Sequence, residues 1–219
     1  MPQNSRTRNV RAQPSRERQE VYVVQNWKDY LGESLMIVFS VFLALFFTEF
    51  INNQHEKSET RELIHNISTE LIKNKQFTTE QYVYEQKVLK TIDTALTHPE
   101  VQQKIVANDE FHLNYIAPQG VLYRYLDNTA WDIAKAHNIL SKLNFREASL
   151  LTRIYDEQTR IMKIEDEVAR VIFNPESRKP QNAHQTLVLI KDIYHAWAVD
   201  RAPGLIQQYT QAVEQLKEN

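Results

Sequence analysis

The sequence predicts an all-α fold: a single transmembrane helix extending into a helical bundle of about four helices. Three observations predict it. Only 3 of the 219 residues are Gly, where average usage near 7% would give about 15, so a fold made of many tight turns is disfavoured. Neither Gly nor Pro occurs between Gly32 and His98, an interval without a helix breaker. Apolar residues recur at spacings of three and four through Ile64, Ile67 and Leu71, and again from Leu150 to Val171. Hydrophobic residues make up 42% and charged residues 25%, which fits a globular chain rather than a disordered one. Cys is absent, which excludes disulfides, thiolate zinc sites and cysteine catalysis. The formal charge of -2 argues against nucleic acid as a partner. None of these counts indicates a biochemical activity.

The elements follow in order. Residues 1–26 read as a disordered, basic cytoplasmic arm: Arg6, Arg8, Arg11, Arg16 and Arg18 stand among Pro, Gln, Asn and Ser with no apolar period. A contact with anionic lipid or nucleic acid is the functional alternative to a plain tail. Residues 27–52 read as the transmembrane helix. Leu35 to Phe47 is apolar except for Ser40, and Leu31 to Ile51 extends it to 21 residues, against the roughly 20 needed to cross a bilayer core. Glu33 and Glu49 would lie near the two interfaces. Trp27 and Tyr30 stand just before the run as interfacial anchors. A buried core helix is the first competing reading, but the run is apolar on every side and would have to be surrounded completely. A cleaved signal peptide is the second; Phe46, Phe47, Thr48, Glu49 and Phe50 offer it no small-residue cleavage site.

Positive charge sets the expected orientation. Residues 1–34 hold six Lys and Arg, including Lys28; the twenty residues after Ile51 hold two, Lys57 and Arg61. The amino terminus is therefore expected on the cytoplasmic side of the inner membrane, with residues 53–219 exported to the periplasm or cell exterior.

Past the span, the stripe begun by Ile64, Ile67 and Leu71 resumes at Val88, Ile92 and Ala95. The matching positions between them, Asn74, Thr78, Gln81 and Glu85, are polar, so the stripe weakens there. Pro99 ends the element, because a residue before proline avoids the helical region. A short helix over Glu100 to Val106 and a turn at Pro118-Gln119-Gly120 come next. Asp127 or Asn128 caps a helix reaching about Ala136, and Asn138 closes it. Asn144, with Glu147 three residues on, opens the clearest helix through a capping box. Leu150, Ile154, Glu157, Ile161, Ile164, Val168 and Val171 form a heptad seam along it. The seam should bury Leu150, Ile154, Ile161 and Val168 against the helix that begins in the membrane. Asn174-Pro175 stops it, residues 175–181 form a polar loop, and a last helical stretch runs from Asn182 to about Lys217, broken or kinked at Pro203-Gly204. Ile190, Ile193, Tyr194 and Trp197 form its buried face.

Candidate chemistry is sparse. Two acid-x-x-His pairs, Glu62 with His65 and Asp192 with His195, raise the possibility of a carboxylate-bridged metal centre. At 100° per residue, Glu62 falls about 160° from Ile64, and Asp192 about 160° from Ile190, so both point away from the apolar stripes. A solvated face is the reading, with no metal and no cofactor. His55-Glu56 lacks the second His of a zincin, and Ser, His and Asp have no strand-turn-helix context that would present a nucleophile. Asn66-Ile67-Ser68 matches a glycosylation sequon by pattern only. Phe111, Tyr115, Tyr123, Tyr125 and Trp131 cluster in one irregular stretch; they read as core filling where helices are short, with an aromatic ligand pocket as the alternative. In the span, Ser40, Ala44 and Thr48 lie four residues apart and line one side. They suit close helix packing with a second copy or a larger membrane partner.

Gly32-Glu33 opens the span, Ser40 follows seven positions after the Glu, and Ala44-Leu45 comes four later. A charged helix follows, from Glu62-Leu63-Ile64 through Glu70-Leu71-Ile72. This pattern resembles a family of uncharacterised bacterial single-pass membrane proteins. Thr129-Ala130-Trp131-Asp132-Ile133-Ala134-Lys135 is similar to a later helix of that family, and Ile139-Leu140-Ser141-Lys142-Leu143 to its short apolar connector. The chain departs from the pattern twice. Ala136-His137 replaces Ser-Gly at the first helix end, and Phe145-Arg146 replaces Leu-Arg at the next helix start. The resemblance implies an anchor plus an exported helical domain and carries no activity. The expected function is a non-catalytic, membrane-anchored interaction or scaffold protein whose first partner is the lipid bilayer. The alternative is an exported ligand-sensing bundle, of unidentified small-molecule ligand, acting through a membrane partner.

Overall fold

The computed structural model describes residues 27–217, so the arm expected over 1–26 lies outside the described residues. The chain divides into two units, Met1–Asn53 and Gln54–Asn219, each taken here by itself. In the first, helix α1 (Trp27–Thr97) begins. Its apolar stretch is exposed all round: Leu35 is 69% exposed and Phe46 65%. That overturns the reading of a buried core helix.

In the second unit, α1 is helical to Thr97 without interruption, and the extended backbone of His98 before Pro99 terminates it. Helix α2 (Pro99–Ile105) leads into a hairpin of β1 (Val106–Ala107) and β2 (Glu110–Phe111), with Val106 opposite Phe111. The hairpin was not legible as such in the sequence. Asn108 and Asp109 both adopt left-handed backbone (φ 53° and 58°), which makes the two-residue turn that a hairpin favours. The expected turn at Pro118-Gln119-Gly120 is present, with the Gly120 N–H donating to the Ala117 carbonyl at 3.0 Å and Gly120 at φ 86°.

Helix α3 (Thr129–Ala136) ends before Asn138, whose left-handed φ of 56° closes the turn as expected. Helix α4 (Phe145–Met162) opens on the expected capping box: the Asn144 side chain accepts from the Glu147 N–H at 3.0 Å, and the Asn144 N–H donates to the Glu147 carboxylate.

The heptad seam does not lie on one helix. The chain turns at Lys163, and α5 (Ile164–Ile172) follows as a separate helix. Neither Pro nor Gly stands there. The cause is tertiary: α4 packs on α7 (Ala202–Lys217), whereas α5 packs on α6 (Ala183–Tyr194). The last helical stretch is likewise divided earlier than expected, by a π-helical turn over His195–Val199 and a turn at Asp200-Arg201. The stretch is therefore broken, as one of the two expected forms, but before Pro203: that residue sits in the first turn of α7, where its missing N–H costs nothing, so Pro203-Gly204 begins a helix.

Two apolar cores result. One gathers Leu63, Ile67 and Leu71 of α1 with Trp131, Leu150, Ile154, Ile161, Leu205 and Tyr209. The other gathers Val88, Ile92 and Ala95 of α1 with Ile105, Ile116, Ile164, Val168, Leu187, Ile190 and Tyr194. The seam residues Leu150, Ile154 and Ile161 thus serve the first core, and Ile164 and Val168 the second; Glu157 and Val171 are only half-buried. Each half meets α1, as expected, through a different core. On the last helical stretch Ile190 and Tyr194 are fully buried, while Ile193 and Trp197 pack at the margin.

Candidate functional site

Between the two cores, α1 keeps its buried face but changes its chemistry. Glu70, Asn74, Thr78, Gln81 and Glu85 are all buried, spaced 4, 4, 3 and 4. The stripe that weakens in the sequence is therefore continuous in burial. Its polar side chains do the hydrogen bonding for a segment that forms no regular element. The Asn74 amide donates to the Asp127 carbonyl at 2.6 Å and accepts from the Asp127 N–H at 2.9 Å. The Gln81 amide donates to the Val121 carbonyl at 3.0 Å and accepts from the Tyr123 N–H at 3.2 Å. Tyr84 donates its hydroxyl to the Gly120 carbonyl at 2.7 Å and accepts from the Gln119 N–H. Buried backbone groups must be paired, and here side chains of α1 stand in for a neighbouring strand.

Glu70 extends the pattern and corrects the capping expectation. Asn128 occupies the N-cap position of α3, but its side chain makes no cap hydrogen bond. The Glu70 carboxylate takes the first free amides instead, accepting from the Ala130 N–H at 2.7 Å and the Trp131 N–H at 3.4 Å. A carboxylate at a helix N-terminus also meets the favourable end of the helix dipole. Tyr155 donates its hydroxyl to the same carboxylate at 2.6 Å, and its ring stacks on Trp131 with centroids 5.1 Å apart. Burial, reinforced by that carboxylate, pushes the Tyr155 hydroxyl far above the ordinary tyrosine range. No single residue in the sequence signals these clamps. The available signal was the unbroken helical spacing of amide and carboxyl side chains between two apolar runs.

Glu85 is the most perturbed acid. It is 1% exposed, and the Gln81 amide donates to it at 3.0 Å. Burial pushes its carboxyl up to about 7. A cavity of about 10 Å³ adjoins it, lined by Thr78, Gln81, Leu122, Arg124, Ile161 and Met162 among others, room for about one water molecule. Tyr194, fully buried on α6, has a hydroxyl without a hydrogen-bond partner among the described residues.

An open groove of about 570 Å³ lies between α1 and the 116–123 segment. Val83, Val88, Ile116, Pro118 and the rings of Tyr84 and Tyr123 form its walls, and Lys87 stands at its edge. Glu80 on the same rim is engaged by Arg124 at 2.9 Å and by Gln76. Of the clustered aromatics, only Trp131 is fully in a core. Phe111 and Tyr123 pack at a core margin, and Tyr115 and Tyr125 are exposed, so core filling accounts for part of the cluster only. Tyr125 instead donates its hydroxyl to the Glu165 carboxylate at 3.0 Å.

The remaining candidates are placed as follows. Ser40, Ala44 and Thr48 are exposed on α1. The Ser40 hydroxyl donates to the Met36 carbonyl at 2.7 Å, and Thr48 to the Ala44 carbonyl at 2.8 Å, which leaves neither hydroxyl hungry for a partner in an apolar medium. Trp27 and Tyr30 are exposed, at 67% and 58%. Glu62, His65 and Asp192 are exposed, and His195 turns to Asp200, its Nδ1 3.2 Å from the carboxylate. Ile67 of the sequon is completely buried. Among the described residues no group of three or more His, Asp and Glu is placed to hold a metal ion. One helix among them, α1, is long and apolar enough to cross a membrane, and none of its apolar window is buried. Compared with known proteins, the chain matches no family model, no curated protein and no solved structure.

Proposed function

We propose that this chain is a membrane-anchored helical interaction or scaffold protein without catalytic activity, its exported domain held at the bilayer by one span. The observation that carries the reading is the exposure of the Leu31 to Ile51 stretch on every side of α1. So large an exposed apolar surface is unfavourable in water and is what a lipid-solvated helix presents. Satisfied hydroxyls at Ser40 and Thr48 let small residues face another helix closely, so a second copy or a larger membrane protein is the partner expected there. Hydrogen-bonded clamps along α1 give the domain a rigid frame, which suits presenting a surface more than turning over a substrate.

The test is membrane fractionation of the full chain. The protein should resist carbonate extraction, and alkaline phosphatase fused after Asn219 should be active. Recovery as a soluble full-length protein refutes the anchor, and an inactive fusion refutes the orientation. The groove edged by Lys87 favours a second reading, an exported sensor domain that takes a small ligand and signals through a partner in the membrane.

A further inference from the structure

Two large apolar side chains stand out of the helical domain where its own fold gives them no cover. Phe145, the first residue of α4, is 89% exposed, and Leu140, in the turn Ile139–Ser141, is 45% exposed. The turn is not loose: Ile139 is completely buried in the first core, which directs Leu140 outward. Ile133, on the neighbouring helix α3, is 50% exposed as well. Basic side chains engage the carboxylates around them. Lys142 meets Glu56 at 3.3 Å, His137 meets Glu59 at 2.6 Å, and Lys135 meets Asp132 at 2.9 Å. Arg146, beside Phe145, is exposed and has no ion-pair partner among the described residues.

The place of these residues in the chain bears on their surroundings. The contacts from Lys142 and His137 reach Glu56 and Glu59, which follow the last apolar residue of the span, Ile51, by only five and eight positions. Five residues can bridge at most about 18 Å even when fully extended. If Leu31 to Ile51 spans the bilayer, chain connectivity alone keeps Glu56 within that distance of the end of the span. Phe145 is three residues from Lys142.

We propose that Leu140 and Phe145 dock the helical domain onto the phospholipid surface in which its span is anchored, with Arg146 on lipid phosphate. The inference rests on the membrane reading above. Aromatic and aliphatic side chains gain by entering the interfacial layer, and a nearby guanidinium pairs with the phosphates it finds there.

The chain has no Cys, so single cysteines report cleanly. Leu140→Cys, Phe145→Cys and, as a control, Phe173→Cys would each be labelled with an environment-sensitive fluorophore in the full chain. The proteins would be reconstituted in vesicles of phosphatidylcholine and phosphatidylglycerol containing a shallow nitroxide lipid. Phe173 is also exposed but follows α5, which serves the other core. Labels at 140 and 145 should be quenched by the nitroxide at least twofold more than the label at 173, and protected from aqueous iodide. Equal quenching at 145 and 173, with equal access to iodide, overturns the docking. Flotation of the same vesicles reads the anchor separately. A protein that floats with a water-exposed 145 refutes the docking alone; one that does not float refutes the membrane reading and the docking together.

Discussion

Replacing Glu85 with Gln should stabilise the helical domain at high pH and leave it nearly unchanged at low pH. The carboxyl is buried with one amide donor, and burial raises it from its ordinary value of 4.5 to about 7. The folded state therefore holds a proton that the unfolded state releases earlier. Folded stability is fully present below about pH 4.5 and falls as pH rises, until the group is ionised in both states above about pH 7. At about 1.4 kcal/mol per pKa unit, the difference corresponds to about 3 kcal/mol. Glutamine keeps the shape and can still accept from Gln81, but it carries no charge to desolvate. The groups facing Glu85 are Thr78, Gln81 and Tyr84 on its own helix, Tyr194 on α6, and Arg124 across the small cavity. The assay is urea unfolding of the full chain in detergent micelles from pH 4.5 to 8.5, followed by the near-ultraviolet signal of the Trp131–Tyr155 stack. The curves for wild type and Glu85→Gln should meet at the acid end and separate by about 3 kcal/mol at the alkaline end. Parallel curves over the whole range would show that Glu85 is not desolvated and that the polar face of α1 admits solvent.

Two further outcomes test the frame. Ile161→Ala should cost about 2–5 kcal/mol, since Ile161 is 4% exposed in the core shared by α4 and α1; a loss below roughly 0.5 kcal/mol, the size of a surface substitution, would place it outside that core. Asn74→Ala should cost about 2 kcal/mol by orphaning both backbone groups of Asp127, and the Asp127 amide should exchange its hydrogen faster; unchanged exchange there would mean the clamp does not hold the segment.

The helical class, the end of the first helix before Pro99 and the capping box at Asn144 were all legible in the sequence; that the first helix runs unbroken from the apolar segment to Thr97 was not. Each rests on interactions between residues close in the chain: spacing, backbone restriction by proline, and one reciprocal pair of side chains. The apolar segment from Leu31 to Ile51 was legible for the same reason, because its composition alone decides how it meets water. What only the tertiary structure decided are the matters in which a residue answers to one far away. The heptad seam reads as one helix because its spacing is unbroken, yet it splits at Lys163 because its two halves pack on different partners, α7 and α6. Asn74, Gln81 and Glu70 read as a gap in a stripe because polar side chains carry no hydrophobic signal. Their buried positions become visible only once the backbone of residues 121–131 lies against them and needs their hydrogen bonds. Glu85 illustrates the same limit most sharply: a glutamate in a sequence is an exposed acid until the fold surrounds it, and burial, which no local pattern encodes, turns it into a group that titrates near neutrality.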